Sequence, residues 1–134
     1  MAKESGLGMS CAIDDSGGSA RTISNDITNI DFATPRDTQD ITGLDKSARE
    51  TLLTLADSSV TANGIFNDAS NMSHDVLKTV SSTSVVRTVT IAISGQTLAM
   101  EMNVTDYQLS RSTAGEFTWT APMVLANGAV PTWA

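Results

Sequence analysis

Residues 85–104, VVRTVTIAISGQTLAMEMNV, carry the pattern that decides the fold. Apolar and polar side chains alternate from Val85 to Ser94 and again from Leu98 onward, and Gly95-Gln96 between them is a tight-turn signal. One face of the first segment presents Val85, Arg87, Val89, Ile91 and Ile93, and the other presents Val86, Thr88, Thr90 and Ala92. Alternation of this length predicts antiparallel strands with one face in a core and one polar face.

The same alternation extends to other parts of the chain. A strand is predicted over Leu98–Leu109, and another over Glu116–Asn127, which places Trp119 on an apolar face. Ser58–Phe66 and Ser24–Phe32 are predicted as strands on the same grounds. Together with the first segment, these give about five strands, enough for a sheet with its own core.

The remaining segments are predicted as helices or loops. Ser73 is a candidate N-cap for a helix that continues to about Val80, and residues 47–55 are predicted as a second short helix from the spacing of their leucines. Residues 1–20 are rich in Gly and Ser and are predicted to form a mobile arm. Residues 34–43 contain a Pro, several polar residues and a Gly, which predicts a loop.

The sequence therefore predicts a mainly β protein, an antiparallel β-sandwich or half-barrel with one flanking α-helix and a flexible N-terminal arm. We expect a single domain over residues 1–134, with the arm at 1–20, the β-rich core at 24–127 and a C-terminal tail at 128–134. Several predicted strands exceed the usual length of about five or six residues and leave long edges. Since few charges protect those edges, we expect the chain to self-associate.

Composition excludes several classes of protein. With 15 acidic and 8 basic residues, the chain has a net charge of −7, which argues against binding to nucleic acid through clustered cations. Its apolar runs are far shorter than the roughly 18 residues that a membrane-spanning helix needs. The N-terminus has no apolar segment of a secretory signal, so we expect synthesis in a cytoplasm and no membrane partner.

No motif in the sequence predicts catalysis or a cofactor. The single histidine, His74, and the single cysteine, Cys11, exclude a histidine-rich or multi-cysteine metal site. The pair Asp14-Asp15 lacks the rest of a calcium-loop pattern and is predicted to be a solvated acidic loop. We expect no enzyme activity, no cofactor and no metal.

Three blocks of the sequence carry a resemblance to a known family. They are Leu55–Asn67 (LADSSVTANGIFN), the helix candidate Ser73–Val80 (SHDVLKTV), and the pair of strands Leu98–Leu109 and Glu116–Asn127, which ends in Asn127-Gly128 and the near-terminal Trp133. In the order of these elements, the chain from about Ser24 onward resembles the major tail protein, or tail tube protein, of long-tailed bacteriophages.

The resemblance implies a structural virion protein, made in the cytoplasm of a bacterial host, whose copies form rings of six. Stacked rings would form the tail tube, a conduit for the genome. Its implied partners are itself, the tape measure, tail terminator and baseplate proteins, and double-stranded DNA that passes without specific binding. The alternatives are a head–tail connector or baseplate ring protein of related fold, a monomeric ligand-binding β-domain, and a small enzyme.

Alternation also predicts which side chains would line such a conduit. The polar faces of the last two long strands carry Glu101, Asn103 and Thr105, and Glu116, Thr118 and Thr120. If these strands are hairpin neighbours in the inner sheet of a ring, their side chains face the DNA, and an acidic, hydroxyl-rich surface would let the duplex slide. An ordinary solvent-exposed outer face is the alternative.

Overall fold

The computed structural model describes residue 3 and residues 5–134, which form eleven strands, one α-helix and one 3-10 turn. The strands are β1 (Ser10–Asp14), β2 (Ala20–Thr22), β3 (Ile27–Ala33), β4 (Arg36–Asp40), β5 (Thr51–Ala56), β6 (Ser59–Ile65), β7 (Arg87–Ile93), β8 (Gln96–Val104), β9 (Gln108–Arg111), β10 (Phe117–Leu125) and β11 (Thr132–Trp133). The 3-10 turn is Ser24–Asp26, and the helix α1 is Ser73–Leu77. The prediction of a mainly β, antiparallel fold with one short helix is confirmed.

Nine of the strands form one antiparallel sheet. Its order is β2-β1-β7-β8-β10-β6-β3, with β9 paired to β10 and β11 paired to β8. Strand β8 pairs with β7 along its length, but its other side is shared between β11, at Leu98–Ala99, and β10, at Met102–Val104. The two remaining strands, β4 and β5, form a separate hairpin.

One face of this sheet forms the core. Cross-strand partners such as Val89 and Met100, or Ala121 and Ala62, place buried side chains directly opposite one another. Trp119 lies among them, and its indole Nε1 donates a hydrogen bond to the Ile65 carbonyl at 3.0 Å. The alternation of the sequence therefore assigns the core faces of β7, β8 and β10 correctly.

Helix α1 covers the core face, and two buried charged side chains hold its ends, Asp26 from the 3-10 turn and Arg87 from β7. At the N-terminus, Asp26 Oδ2 accepts a hydrogen bond from the backbone N–H of Ser73 at 3.0 Å, and Asp26 Oδ1 accepts one from the Asn67 amide. At the C-terminus, Arg87 Nη1 donates to the Val76 carbonyl at 2.6 Å. These signs match the helix dipole, which favours an anion at the N-terminus and a cation at the C-terminus.

Ser73 therefore does not act as the N-cap that its position predicts. The N-cap position is Met72, which makes no side-chain capping bond, and the carboxylate of Asp26 from a distant segment takes that role. The hydroxyl of Ser73 is buried without a partner among the described residues.

The N-terminal segment is not a mobile arm throughout. Residues Ser10–Asp14 form β1, pair with β7, and bury Cys11 and Ile13 in the core. The glycines that suggested mobility build a tight turn instead, in which Gly18 adopts a φ of 86° and donates its N–H to the Asp15 carbonyl. Short apolar alternation within a Gly-rich stretch was the signal that sequence reasoning missed.

Residues 34–56 also differ from the prediction. The expected loop contains β4, and the expected helix at 47–55 overlaps β5. Leucines three residues apart, Leu52 and Leu55, suggested a helical stripe, but both are exposed and cover no core. Pairing between β4 and β5 supplies the backbone hydrogen bonds that an uncovered short helix could not maintain.

The C-terminal segments add two small strands. The strand predicted over Leu98–Leu109 ends at Val104, and Gln108–Arg111 forms β9 as the hairpin partner of β10. In the predicted tail, Trp133 of β11 pairs with Leu98, and its ring centroid lies 6.1 Å from that of Phe32 on β3.

Gly64 permits the close packing of β6 against the 3-10 turn and Trp119. A Cβ at this position would collide with the Asp26 carbonyl oxygen and would lie 2.6 Å from the Trp119 ring. We expect Gly64→Ala to destabilise the fold by about 1–3 kcal/mol through overpacking. Chemical denaturation followed by tryptophan fluorescence measures this loss.

Gly6→Ala is the matched control, because a Cβ there meets no atom within 4 Å. Its stability should equal that of the wild type. Equal stability of the Gly64→Ala variant would contradict the close approach of the 3-10 turn to Trp119.

Candidate functional site

The face of the sheet opposite the core is polar, and its charges have one sign. It is formed by the outward positions of the strands, and we call it the polar face. The charged side chains at these positions in the described strands are the acids Asp14, Asp31 and Glu101, and none is Lys or Arg. Its other members include Ser59, Thr61, Asn63, Thr88, Thr90, Asn103, Thr118 and Thr120.

Hydrogen bonds hold several of these groups in place. Thr88 Oγ1 donates to Glu101 Oε1 at 2.6 Å across β7 and β8. Thr120 Oγ1 donates to Asn63 Oδ1 at 2.8 Å across β10 and β6. The polar face is thus a fixed array of hydroxyl, amide and carboxylate groups, and its described strand residues include no cation to bind a phosphate.

The structure brings four of the six predicted site residues onto the polar face. Glu101 and Asn103 lie on β8, and Thr118 and Thr120 lie on β10. The two strands adjoin at the pair Asn103 and Val124, so the two groups belong to one surface.

The other two predicted residues lie just outside the strands. Thr105 follows β8, and its N–H and Oγ1 both donate to the Pro122 carbonyl. Glu116 precedes β10 in the β9–β10 turn, where its Oε1 accepts a hydrogen bond from Ser112 Oγ at 3.1 Å.

The expected hairpin between the two long strands is wrong. Thr118 and Thr120 of β10 pair with β9 on one side and β6 on the other, whereas β8 meets β10 only at its far end. Alternation places Asp31 on the polar side of its own strand, but the sequence did not predict that Asp14 and Asp31 share one face with Glu101, because β1 and β3 join this sheet only through long-range pairing.

A second candidate surface is the β4–β5 hairpin, which exposes large apolar side chains. These are Ile41, Leu44, Leu52, Leu53 and Leu55. Leu44 is fully exposed and Leu55 is 75% exposed. Successive strand residues point to opposite faces, so Leu52 and Leu53 make both faces of the hairpin apolar. The spacing of Leu52 and Leu55 predicted a helix, so the apolar surface of the hairpin was not predicted from the sequence.

Internal hydrogen bonds stiffen the hairpin. The Arg36 guanidinium donates from Nε and Nη2 to the Thr54 carbonyl at 3.0 and 2.8 Å. Near the tip, the Thr42 hydroxyl donates to Asp40 Oδ1 and lowers the pKa of that carboxyl. The hairpin is therefore an ordered projection that leaves apolar surface in water, which is typical of an interface.

In the part of the chain that the structure describes, the groups capable of acid–base or nucleophilic chemistry are not assembled into a site. His74 Nδ1 lies 3.2 Å from the Tyr107 hydroxyl, and its ring packs on Phe66 with centroids 4.7 Å apart. Burial raises the pKa of Tyr107 to about 12, so its hydroxyl stays protonated at neutral pH. The described residues contain no group of three His, Cys, Asp or Glu placed to hold a metal ion. No helix among them is both long enough and apolar enough to cross a bilayer.

Comparison with known proteins gives a likeness in fold. No protein-family model matches the chain, and no curated protein matches it. A chain from the tail of an empty GTA particle, computed with helical refinement and C6 symmetry, superposes with a TM-score of 0.81 at 18% identity, covering 98% of this chain and 99% of that one. A chain from the virion of a native gene transfer agent (GTA) particle gives 0.79 at 18% identity, covering 97% and 99%.

A third solved structure belongs to an extracellular contractile injection system, in which the similar chain is part of the PVC sheath/tube terminator in the extended state. Its TM-score is 0.74 at 7% identity, over 100% of this chain and 98% of that one. These three likenesses span nearly whole chains, so this protein shares its fold with chains from a GTA tail, a GTA virion and a contractile injection system.

The buried cysteine provides a chemical test of the core. Burial raises the pKa of the Cys11 thiol from 9.0 to about 11, so the thiol is neutral and shielded at pH 8. We expect an aromatic disulfide reagent to react with unfolded protein at once and with native protein only as fast as it unfolds. Because the folded pKa is the higher one, this thiol's contribution to stability is complete below pH 9.0 and is lost as the pH rises through about 11.

Absorbance of the released thiolate measures both rates, and urea-unfolded protein serves as the control. Labelling of the native protein at the rate of the unfolded protein would show that β1 is not docked in the core.

Proposed function

We propose that this chain is the subunit of a phage-like tail tube, in which six copies form a ring and the rings stack. The proposal is carried by the likeness in fold, over nearly the whole chain, to a chain from a tail with C6 symmetry. Two properties of the isolated subunit support it: an apolar hairpin that covers nothing in its own chain, and a polar face without cations.

The hairpin is suited to contacts between copies. Its leucines cost free energy while they remain in water, and burying a leucine fully contributes about 1.5–3 kcal/mol. The sheet also ends in two edge strands, β2 and β3, whose outer sides are unpaired among the described strands. Unpaired edges and exposed leucines together favour assembly over an isolated monomer.

The polar face is suited to line a conduit. A sixfold ring would repeat Glu101, Asp31 and Asp14 around the lumen and produce a band of negative potential. DNA carries about one negative charge per 1.7 Å of duplex and would be repelled by that band rather than held. Hydroxyl and amide groups between the acids would keep the surface hydrated.

In this function the protein lies in the tail of a virion and is made in the cytoplasm of a bacterial host. It would contact its own copies, a tape measure protein within the tube, and terminator and baseplate proteins at the two ends. DNA would pass through without specific binding.

A second candidate function is a ring at the end of a tail, as in a head–tail connector, terminator or baseplate. The observation that favours it is the likeness to a chain of a sheath/tube terminator. Electron microscopy of the purified protein separates the two, because a tube subunit forms long stacks and a terminal ring stops at one or two layers.

The leucines of the hairpin provide a direct test of assembly. We expect the double variant Leu44→Glu and Leu55→Glu to remain folded, since both side chains are exposed, but to lose the ability to form tubes. A charge in place of a leucine that becomes buried costs several kcal/mol per contact. Sedimentation and negative-stain microscopy measure tube formation, and circular dichroism confirms folding.

Val86→Glu is the control, because Val86 is an exposed apolar side chain outside the hairpin. Tubes from the double variant that match the wild type in yield and length would contradict a role of the hairpin in assembly.

Whether the polar face points into the lumen is tested by the access of a large protein to a label on that face. We expect biotin attached at Asn103→Cys to bind streptavidin in the monomer but not in assembled tubes, since streptavidin is too large to enter a lumen. Biotin at Asp68→Cys should stay accessible in tubes, because Asp68 is exposed in the segment that leads to α1, on the side away from the polar face. Equal binding at both positions in tubes would place the polar face outside.

A further inference from the structure

A hairpin that docks between copies needs an acceptor of its own. Rings close, and rings stack, through head-to-tail contacts in which two different surfaces meet. The β4–β5 hairpin therefore cannot contact another hairpin at every interface. A complementary surface must lie elsewhere on the same chain.

One apolar groove has the properties of that acceptor. It lies between the segment before β1 and the β7–β8 turn, and has a volume of about 610 Å³. Its lining residues are Ser5, Gly6, Met9, Ile93, Ser94, Gln96 and Trp133. None of these described lining residues is charged, and Trp133 is 46% exposed on the wall of the groove.

The groove continues into a second depression. Residues Gly6 and Met9 are shared with a cavity of about 340 Å³, which is lined further by Leu7, Ile27 and Ile30 and by the polar residues Ser10, Ser24, Thr28 and Asn29. Together the two depressions form a channel from Trp133 past Met9 toward β3, and none of its described lining residues is charged. A continuous, uncharged channel fits a strand rather than a single side chain.

Strand β5 matches this channel in chemistry. Its sequence, Thr51-Leu-Leu-Thr-Leu-Ala56, has no charged residue and carries three exposed leucines. Of the exposed apolar side chains outside the hairpin, Leu109 and Phe117 lie beside the charged residues Arg111 and Glu116, so their surroundings differ from the uncharged sequence of β5.

We propose that the groove at Met9, Ile93 and Trp133 receives strand β5 of a second copy of this chain. This inference rests on the proposed self-assembly and names the two surfaces that meet in it. The leucines of β5 lose their exposure to water there, and Trp133 becomes covered. The donor and acceptor surfaces differ, so the contact can repeat from copy to copy.

Crosslinking between two chains that each carry one introduced cysteine tests the pairing, with dissolved oxygen as the oxidant. One chain carries Leu55→Cys and the other carries Gln96→Cys; both native side chains are exposed, and the native Cys11 of each chain is buried. After mixing and assembly, we expect a disulfide-linked dimer to form at least about tenfold faster than in dilute monomers, because assembly holds the thiols at high effective concentration. The control pair, Leu55→Cys with Asp68→Cys, should show no such gain.

Fluorescence gives an independent readout without new cysteines. The two tryptophans differ, since Trp119 is buried and Trp133 is exposed, so acrylamide quenches the emission of Trp133 in the monomer. We expect that quenching to be lost in assembled tubes. A Trp133→Phe variant identifies which part of the signal belongs to Trp133.

The outcomes separate this inference from the function on which it rests. Tubes in which Trp133 is still quenched and Leu55→Cys does not link to Gln96→Cys would overturn the groove as acceptor and leave the tube function standing. A rapid disulfide within one chain that carries both cysteines, in dilute monomer, would show that the hairpin folds onto its own groove and would also overturn it. Protein that forms neither rings nor tubes would overturn both proposals.

Discussion

Two buried charged side chains, Asp26 and Arg87, hold the five-residue helix α1 against the core face of the sheet. We call this pair of contacts the clamp, and the order of the core depends on it. A helix as short as α1 is unstable by itself, because helix nucleation is costly. The carboxylate of Asp26 at one end and the guanidinium of Arg87 at the other supply the missing hydrogen bonds with the signs that the helix dipole requires. Val76 and Leu77 are then fixed with no exposed surface against the strands.

Burying the Arg87 guanidinium costs free energy, which hydrogen bonds to two carbonyls and one hydroxyl offset. Arg87 is almost fully buried and forms no ion pair with a described carboxylate; it donates to the carbonyls of Val76 and Asp14 and to the Thr79 hydroxyl. Desolvation lowers the pKa of the guanidinium, while the charges of Asp15 and Asp14 oppose this. A single side chain thereby links β7, the end of β1 and the helix, which adds to the pairing of β1 with β7 in ordering the N-terminal segment.

Because the helix covers one side of the sheet, the side chains on the opposite side do not have to form a core. That polar face can consist of threonines, asparagines and acids, held to one another by bonds such as that between Thr88 and Glu101. The hairpin shows the reverse situation, since its leucines are apolar yet cover nothing in the same chain. One subunit thus combines a buried core, a hydrated polar face and a hairpin with exposed leucines. This combination is suited to repeated assembly.

The sequence by itself determined which residues of the long strands face the core and which face water. Period-two alternation is a local property of extended backbone, so Val89, Trp119 and Met123 were assigned correctly without knowledge of their neighbours. Only the tertiary structure decided the rest. Asp26 caps a helix 47 residues away, β1 is ordered by pairing with β7, and β5 is a strand because β4 lies beside it. These outcomes depend on partners distant in sequence, and the hydrogen bonds that such partners supply outweigh local preferences of a few tenths of a kcal/mol per residue, roughly the spread of helix propensities.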